Sequence, residues 1–297
     1  MGGLSGRRFS ESATGWLFLT PGAAIIGACV LVPTLIALAL SFTQCSRFLN
    51  AHFVGFDNYL QIFRDRECLS AFGNTLYYLL LYVPLNLAMS LAVAMLLNRQ
   101  FPGMKIIRSI YFVPVAVSGI VAVSIFRFIF NSGATGPVNA LLTSLQSAMG
   151  FDPQPVPWLW DSHWAMLTIT FITLWKSTAF FSIIILAAMQ DVPRDLYEAA
   201  AVDGAGLASQ FAHITVPSLM PILMMVATLS IIGAFRIFEP MFVLTGGRYE
   251  TQTITLKAYN SAFQTGELGL ANAISFSLLI IILLATLAMN SISRRFE

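Results

Sequence analysis

The sequence predicts an all-α polytopic membrane protein with six transmembrane helices, on three observations. Of 297 residues, 57% are hydrophobic and only 10% are charged, whereas soluble domains carry roughly a quarter charged residues. Six stretches reach the roughly 20 apolar residues that a membrane helix needs. Lys and Arg are shared unevenly among the segments between them.

The spans fall near Trp16–Phe42, Phe72–Leu97, Ile110–Phe130, Trp164–Met189, Leu219–Leu244 and Leu270–Asn290. The first is too long for a signal-peptide core, and no small-residue cleavage site follows it. Pro33, Pro84 and Pro114 lie within spans, where neighbouring helices satisfy the freed backbone groups. With both termini inside, the inner segments hold Arg7, Arg8, Arg99, Lys105, Arg108, Arg194, Arg294 and Arg295. The outer ones hold Arg47, Arg64, Arg66, Arg248 and Lys257, and Arg127, Lys176 and Arg236 fall within spans. The positive-inside rule therefore puts both termini in the cytoplasm. Residues 43–71, 131–163 and 245–269 then face outward, and 98–109 and 190–218 face inward. Pro153, Pro155 and Pro157 stiffen an outer loop, and Trp158, Trp160 and Trp164 suit an interfacial aromatic belt. The whole chain, 1–297, reads as one transmembrane domain.

Composition and motifs exclude several functions. A net charge of +2 offers no polybasic face for nucleic acid. Cys29, Cys45 and Cys68 have no metal-ligand spacing; Cys45 and Cys68 either pair in an oxidising space or remain free thiols. His52, His163 and His213 are scattered. No G-x-x-x-x-G-K-[ST], H-E-x-x-H or G-x-S-x-G stretch occurs. Neither a catalytic residue nor a metal site is expected, so an intramembrane enzyme has no constellation to support it. With no nucleotide-binding motif of its own, the chain must draw any energy it uses from a partner or a gradient.

Residues 190–218 are the most informative stretch. Asp191 can cap a helix whose first turn accepts Pro193. Residues 194–202 are good helix formers, and Gly204 can stop them. A second short helix fits Leu207–Ile214, ended by Pro217. Each is too short to be stable alone in water, so both must pack on something. The Ala199-Ala200-Ala201 run permits close backbone approach. A hairpin resting on the membrane and a docking element for a cytoplasmic partner fit these features equally.

The spacing of Glu198-Ala199-Ala200, Gly204, Ile214 and Pro217 resembles the EAA loop of ABC-importer permease subunits, with Val216 where that family usually has Leu. Leu196-Tyr-Glu-Ala-Ala-Ala-Val-Asp-Gly-Ala205 is similar to the carbohydrate-uptake branch, the MalF-like and UgpA-like permeases. So are Phe53-Val-Gly-Phe-Asp-Asn-Tyr59, Trp175-Lys176 and Leu244-Thr-Gly-Gly247. The resemblance implies a type-I importer transmembrane domain in a bacterial cytoplasmic (inner) membrane. It implies a second permease subunit forming a heterodimer, two cytoplasmic ATPase subunits and an extracytoplasmic solute-binding protein. No cofactor is implied for this chain, with ATP and magnesium on the ATPase. Residues about 194–213 would then sit in an ATPase cleft. There Glu198 would bond a basic group, and Asp203 would do the same or cap the second helix. The implied solute is a sugar or oligosaccharide, with glycerol 3-phosphate or a related polyol phosphate as the near alternative. A gradient-driven secondary transporter is the rival class, and it leaves the 194–217 loop unexplained.

Three charges inside spans mark a candidate solute path. Lysine at a bilayer centre costs roughly 2.5–3.5 kcal/mol. Lys176 should therefore face a bundle interior, a water-filled cavity or a carboxylate, either lining the path or serving as a structural ion pair or a snorkelling lysine. Arg236 and Glu239 are spaced i, i+3 and can share a helix face as an ion pair, with solute contact as the second role.

Overall fold

The computed structural model describes residues 16–46 and 49–294. Arg7, Arg8, Arg47 and Arg295, used above for orientation, lie outside the described residues. The chain divides into two compact units, residues 1–62 with 258–276 and residues 63–257 with 277–297.

In the first unit, helix α1 (Trp16–Ser41) is apolar, and none of its most apolar stretch is buried. It holds a π-turn at Gly27–Leu31, after which Pro33 enters a fresh helical turn. Strands β1 (Thr43–Ser46) and β2 (Leu49–Phe53) follow as an antiparallel hairpin pairing Thr43 with Phe53 and Gln44 with His52. No strand is expected from the sequence. The Thr43-to-Phe53 stretch pairs because the chain must reverse straight after a span. Helix α2 (Asp57–Arg64) is strongly amphipathic and supplies buried Asn58. The Asn58 side-chain amide donates to the carbonyls of Ser41 (2.8 Å) and Thr43 (2.9 Å), fixing the span end to the hairpin.

The second unit holds helices α3 (Arg66–Leu97), α4 (Met104–Ala116), α5 (Gly119–Ile129), α6 (Pro137–Ala148), α7 (Ser162–Gln190) and α8 (Arg194–Val202). Next come α9 (Leu207–Gln210), α10 (Val216–Phe235) and α11 (Glu239–Leu244); α12 (Ile254–Asn260) and α13 (Leu268–Ser293) each have residues in both units. Helices α3, α7 and α10 pack on one another, and α4 packs on α7. Lipid tails are as apolar as leucine, so such helices associate through small residues and interhelical hydrogen bonds. Ala71, Ala94 and Ala179 are accordingly buried at contacts. Buried Asn86 donates from its amide to the Ser230 hydroxyl at 2.8 Å, joining α3 to α10. Asp65 and Asp161 cap α3 and α7 by accepting from the Glu67 and His163 amides. Buried Asn139 of α6 holds the loop before α7: it accepts from the Trp158 indole at 2.8 Å and donates to the Val156 carbonyl at 2.9 Å.

Among the described residues, five helices are long and apolar enough to cross a bilayer, and the α4–α5 pair adds a sixth when taken together. Four local expectations need correction. The stretch 110–130 is not one straight helix: α4 and α5 meet at 98°. Pro114 removes a backbone donor two residues before α4 ends, and Val117 and Ser118 are extended. The stretch 219–244 breaks at Arg236–Phe238, where Arg236 ends α10 and Glu239 opens α11. Pro217 does not end a short second helix. A π-turn at Phe211–Thr215, closed by the Val216 amide on the Phe211 carbonyl, shifts the register and lets the helix run on through the proline. Asp191 caps nothing with its side chain; it closes α7, and Pro193 rather than Asp191 is the N-cap of α8. All three cysteines carry free thiols, so the free-thiol alternative for Cys45 and Cys68 holds.

Gly269, in the first unit, gives a test of this packing. A Cβ there would run into the Thr43 backbone carbonyl, which cannot swing aside as a side chain would. Gly269→Ala is expected to destabilise by about 1–3 kcal/mol, the usual cost of overpacking. A lower unfolding midpoint in mild detergent would report it. Gly22→Ala, with nothing within 4 Å of the added carbon, should leave the midpoint unchanged or raise it.

Candidate functional site

Backbone breaks inside a membrane are tolerated only where protein or a water-filled cavity satisfies the freed groups. The two broken spans meet this condition at one place. A cavity of about 400 Å³ is lined by Gly119, Ala122 and Val123 from α5, and by Arg236 to Pro240 from the second break. Tyr78 and Tyr82 of α3 and Thr173, Trp175 and Lys176 of α7 complete most of its wall. The break between α4 and α5 frees the Val117 carbonyl, and the Lys176 ammonium donates to it at 2.8 Å. The second break frees the Phe235 and Ile237 carbonyls, which accept from the Thr255 and Thr253 hydroxyls at 2.9 and 3.1 Å.

Lys176, Arg236 and Glu239 thus line one cavity. Arg236 and Glu239 do not share a helix face and are not an ion pair, because the helix is interrupted between them. Glu239 instead lies against Gly119 at the start of α5, so close that a Cβ on Gly119 would collide with its carboxylate. A carboxylate there faces the positive end of the α5 dipole. The aromatic wall includes Tyr78 and Tyr82, stacked with ring centroids 5.2 Å apart. Gly119, Tyr78, Tyr82 and Trp175 are absent from the sequence-based candidates. Ser118-Gly119, shortly after Pro114, is the sort of pair at which helices kink and could have located the break.

The second feature is the hairpin of α8 and α9. α8 buries none of its residues. It ends in a Schellman motif: the Ala205 amide bonds the Ala200 carbonyl at 2.8 Å, and the Gly204 amide bonds that of Ala201 at 3.1 Å. Gly204 takes φ +81°, which a residue with a Cβ adopts only under strain. Gly206 is the N-cap of α9, so Asp203 caps no helix with its side chain. Glu198, Ala199 and Asp203 are exposed, Ala200 and Ile214 are half-buried, and Pro217 is exposed. The Tyr197 hydroxyl meets that of Thr215 at 3.0 Å and ties the hairpin to the root of α10. Val202 and Leu207 stand 88% and 86% exposed beside the turn, an apolar surface that none of the described residues covers.

In the predicted outer segments, Lys257 meets Asp65 at 3.3 Å and Glu67 at 2.5 Å. Burial pushes the Asp65 carboxyl upward, but the Glu67 amide, the Cys68 thiol and Lys257 outweigh it and hold the group below its ordinary value. Burial likewise opposes the Lys257 charge, and the two carboxylates outweigh it and raise the ammonium.

These features define a polytopic transport subunit with a cavity in its membrane core and an exposed hairpin between two spans. Residues 85–297 match the model of the binding-protein-dependent transport system inner membrane component family, and the chain belongs to that family. The "Probable ABC transporter permease protein YurN" of Bacillus subtilis is 32% identical over 95% of this chain and 94% of its own length. The "Trehalose/maltose transport system permease protein MalF" of Thermococcus litoralis is 30% identical, covering 97% of this chain and 96% of its own length. A crystal structure of a bacterial alginate ABC transporter with an alginate pentasaccharide-bound periplasmic protein matches at a TM-score of 0.83 and 26% identity. It covers 97% of this chain and 96% of that one.

Two outcomes test this geometry. Gly119→Ala should lower the unfolding midpoint by displacing the Glu239 carboxylate, and Glu239→Ala in the same chain should restore much of it. A double variant no more stable than the single would refute the contact. For the ion cluster, a carboxylate held low stabilises the fold above its unfolded value and loses that contribution as pH falls through the folded one. The Lys257 contribution is present below the ordinary lysine value and is lost only as pH rises past the raised one. Lys257→Met should therefore reduce stability across the neutral range and blunt its loss on acidification.

Proposed function

We propose that this chain is one permease subunit of a type-I ABC importer that carries a sugar or oligosaccharide across a bacterial cytoplasmic membrane. The α8–α9 hairpin carries the reading. It is short, stiff, exposed and joined to α10 through an unbroken helical path, so a push on it is delivered to a span. Residues 194–213 seat in a cleft of a separate ATPase subunit, which binds ATP and magnesium. Glu198 bonds a basic group of that subunit, and Val202 and Leu207 bury their apolar surface against it. Asp203 at the turn faces the same partner. The energy comes from that partner, and this chain performs no chemistry of its own.

The cavity supports a polar solute. Lys176, Arg236 and Glu239 offer charged hydrogen-bonding groups, and Tyr78, Tyr82 and Trp175 offer flat apolar faces of the kind that meet sugar rings. The relatives named for trehalose/maltose and alginate support the carbohydrate class. The further partners are a second permease, different from this one, a second ATPase copy and an extracytoplasmic binding protein; the periplasmic protein in the matched alginate complex supports the last of these. Both termini lie in the cytoplasm.

Purification in mild detergent should recover a second permease and an ATPase whose activity rises with a loaded binding protein. Transport by the lone chain in liposomes without ATP would overturn the reading. Gly204→Asp should insert and assemble yet lose uptake, because the Schellman turn needs a left-handed residue and the carboxylate intrudes on the docking face. Normal uptake by that variant would remove the hairpin from the coupling path.

A further inference from the structure

The ends of α3 and α7 and the start of α4 enclose a groove of about 1350 Å³, separate from the cavity above. Arg99, Lys105, Arg108 and Arg194 all line it, and Glu198 is the one carboxylate among its lining residues. That is more positive charge than the whole chain carries net. None of the four cations forms an ion pair among the described residues. Arg108 spends two donors on the Leu97 carbonyl, at 3.0 and 2.7 Å, and keeps its charge. Arg99, Lys105 and Arg194 are exposed. Concentrated, unpaired positive charge of this kind calls for an anion.

The position selects which anion. Three apolar helices begin or end at the groove, which puts it at the boundary between hydrocarbon and water. Phe101 and Ile106, both lining residues, are 49% and 66% exposed and give an apolar floor beside the cations. A free phosphate has no use for that floor, whereas a phospholipid places its headgroup on the cations and its chains on the apolar side. Basic pockets between membrane helices bind anionic headgroups in this manner. We propose that this groove is a binding site for an anionic phospholipid, with Arg99 and Lys105 as its principal headgroup contacts.

The test is phosphatidylglycerol retention by the assembled transporter, measured by native mass spectrometry during delipidation in micelles of phosphatidylglycerol and phosphatidylcholine. Wild type should retain phosphatidylglycerol over phosphatidylcholine. Affinity should fall about fivefold for each charge removed, and about 25-fold in Arg99→Gln/Lys105→Gln. Arg99→Lys/Lys105→Arg should keep it, which separates charge from a folding defect, and Arg248→Gln should change nothing. Equal retention in wild type and the Gln variant would overturn the site. So would complete displacement of the lipid by millimolar inorganic phosphate, which would assign the groove to a free anion. Unchanged lipid retention with loss of the ATPase subunit from the Gln variant would give the groove to that partner instead. Lipid retention is read without transport, and on this chain alone if no partner copurifies, so failure of the lipid site and failure of the importer reading give different results.

Discussion

Inside a bilayer no water is available to satisfy a backbone amide or carbonyl, and that constraint shapes the functional core of this molecule. Two spans are interrupted, and each interruption exposes backbone groups that would cost several kcal/mol apiece if left bare in hydrocarbon. The chain answers with side chains from elsewhere: Lys176 for Val117, Thr255 for Phe235 and Thr253 for Ile237. Such side chains must converge on the breaks, and helices interrupted in this way cannot fill the space between them. A cavity that holds a few charged groups among apolar walls is thus a consequence of breaking two helices that face each other.

The same reasoning changes how the intramembrane charges are understood. Lys176 is costly at mid-span only if it faces lipid or lacks a partner, and its carbonyl partner is one that the neighbouring break creates. Glu239 lies at the start of α5, where a carboxylate is favoured, and Gly119 is the residue that leaves it room. Arg236 is left exposed at the end of α10. Structural pairing and the lining of a path therefore need not compete: a group that holds a break together also presents its remaining polarity to whatever occupies the space.

Much of this was legible in the sequence, for identifiable reasons. The spans announce themselves because lipid demands long apolar runs. α8 was legible because good helix formers are followed by a glycine at the position that must turn left-handed. What stayed hidden depends on distant partners. Arg236 and Glu239 look like an i, i+3 pair only if the helix is continuous, and nothing within their own stretch forbids continuity. The satisfied carbonyls at the break belong to a contact with Thr253 and Thr255, far enough along the chain that local patterning says nothing of it. Pro217 misled in the opposite sense. A proline after a short helix reads as a stop, but a π-turn absorbs the missing donor and keeps the helix whole.

That continuity matters more than the short helices it joins. Had the chain broken at Pro217, the hairpin would hang from α10 by a flexible link, and displacement of α8 would dissipate there. With the π-turn in place, the path from the exposed hairpin to the Arg236 break is helical throughout and is braced at its root by Tyr197 on Thr215. One end of α10 is thus joined to the exposed hairpin, and the other forms part of the cavity wall. A rigid element with those two ends can only move them together, and in that sense the register shift at Phe211–Thr215 links the exposed hairpin to the cavity wall.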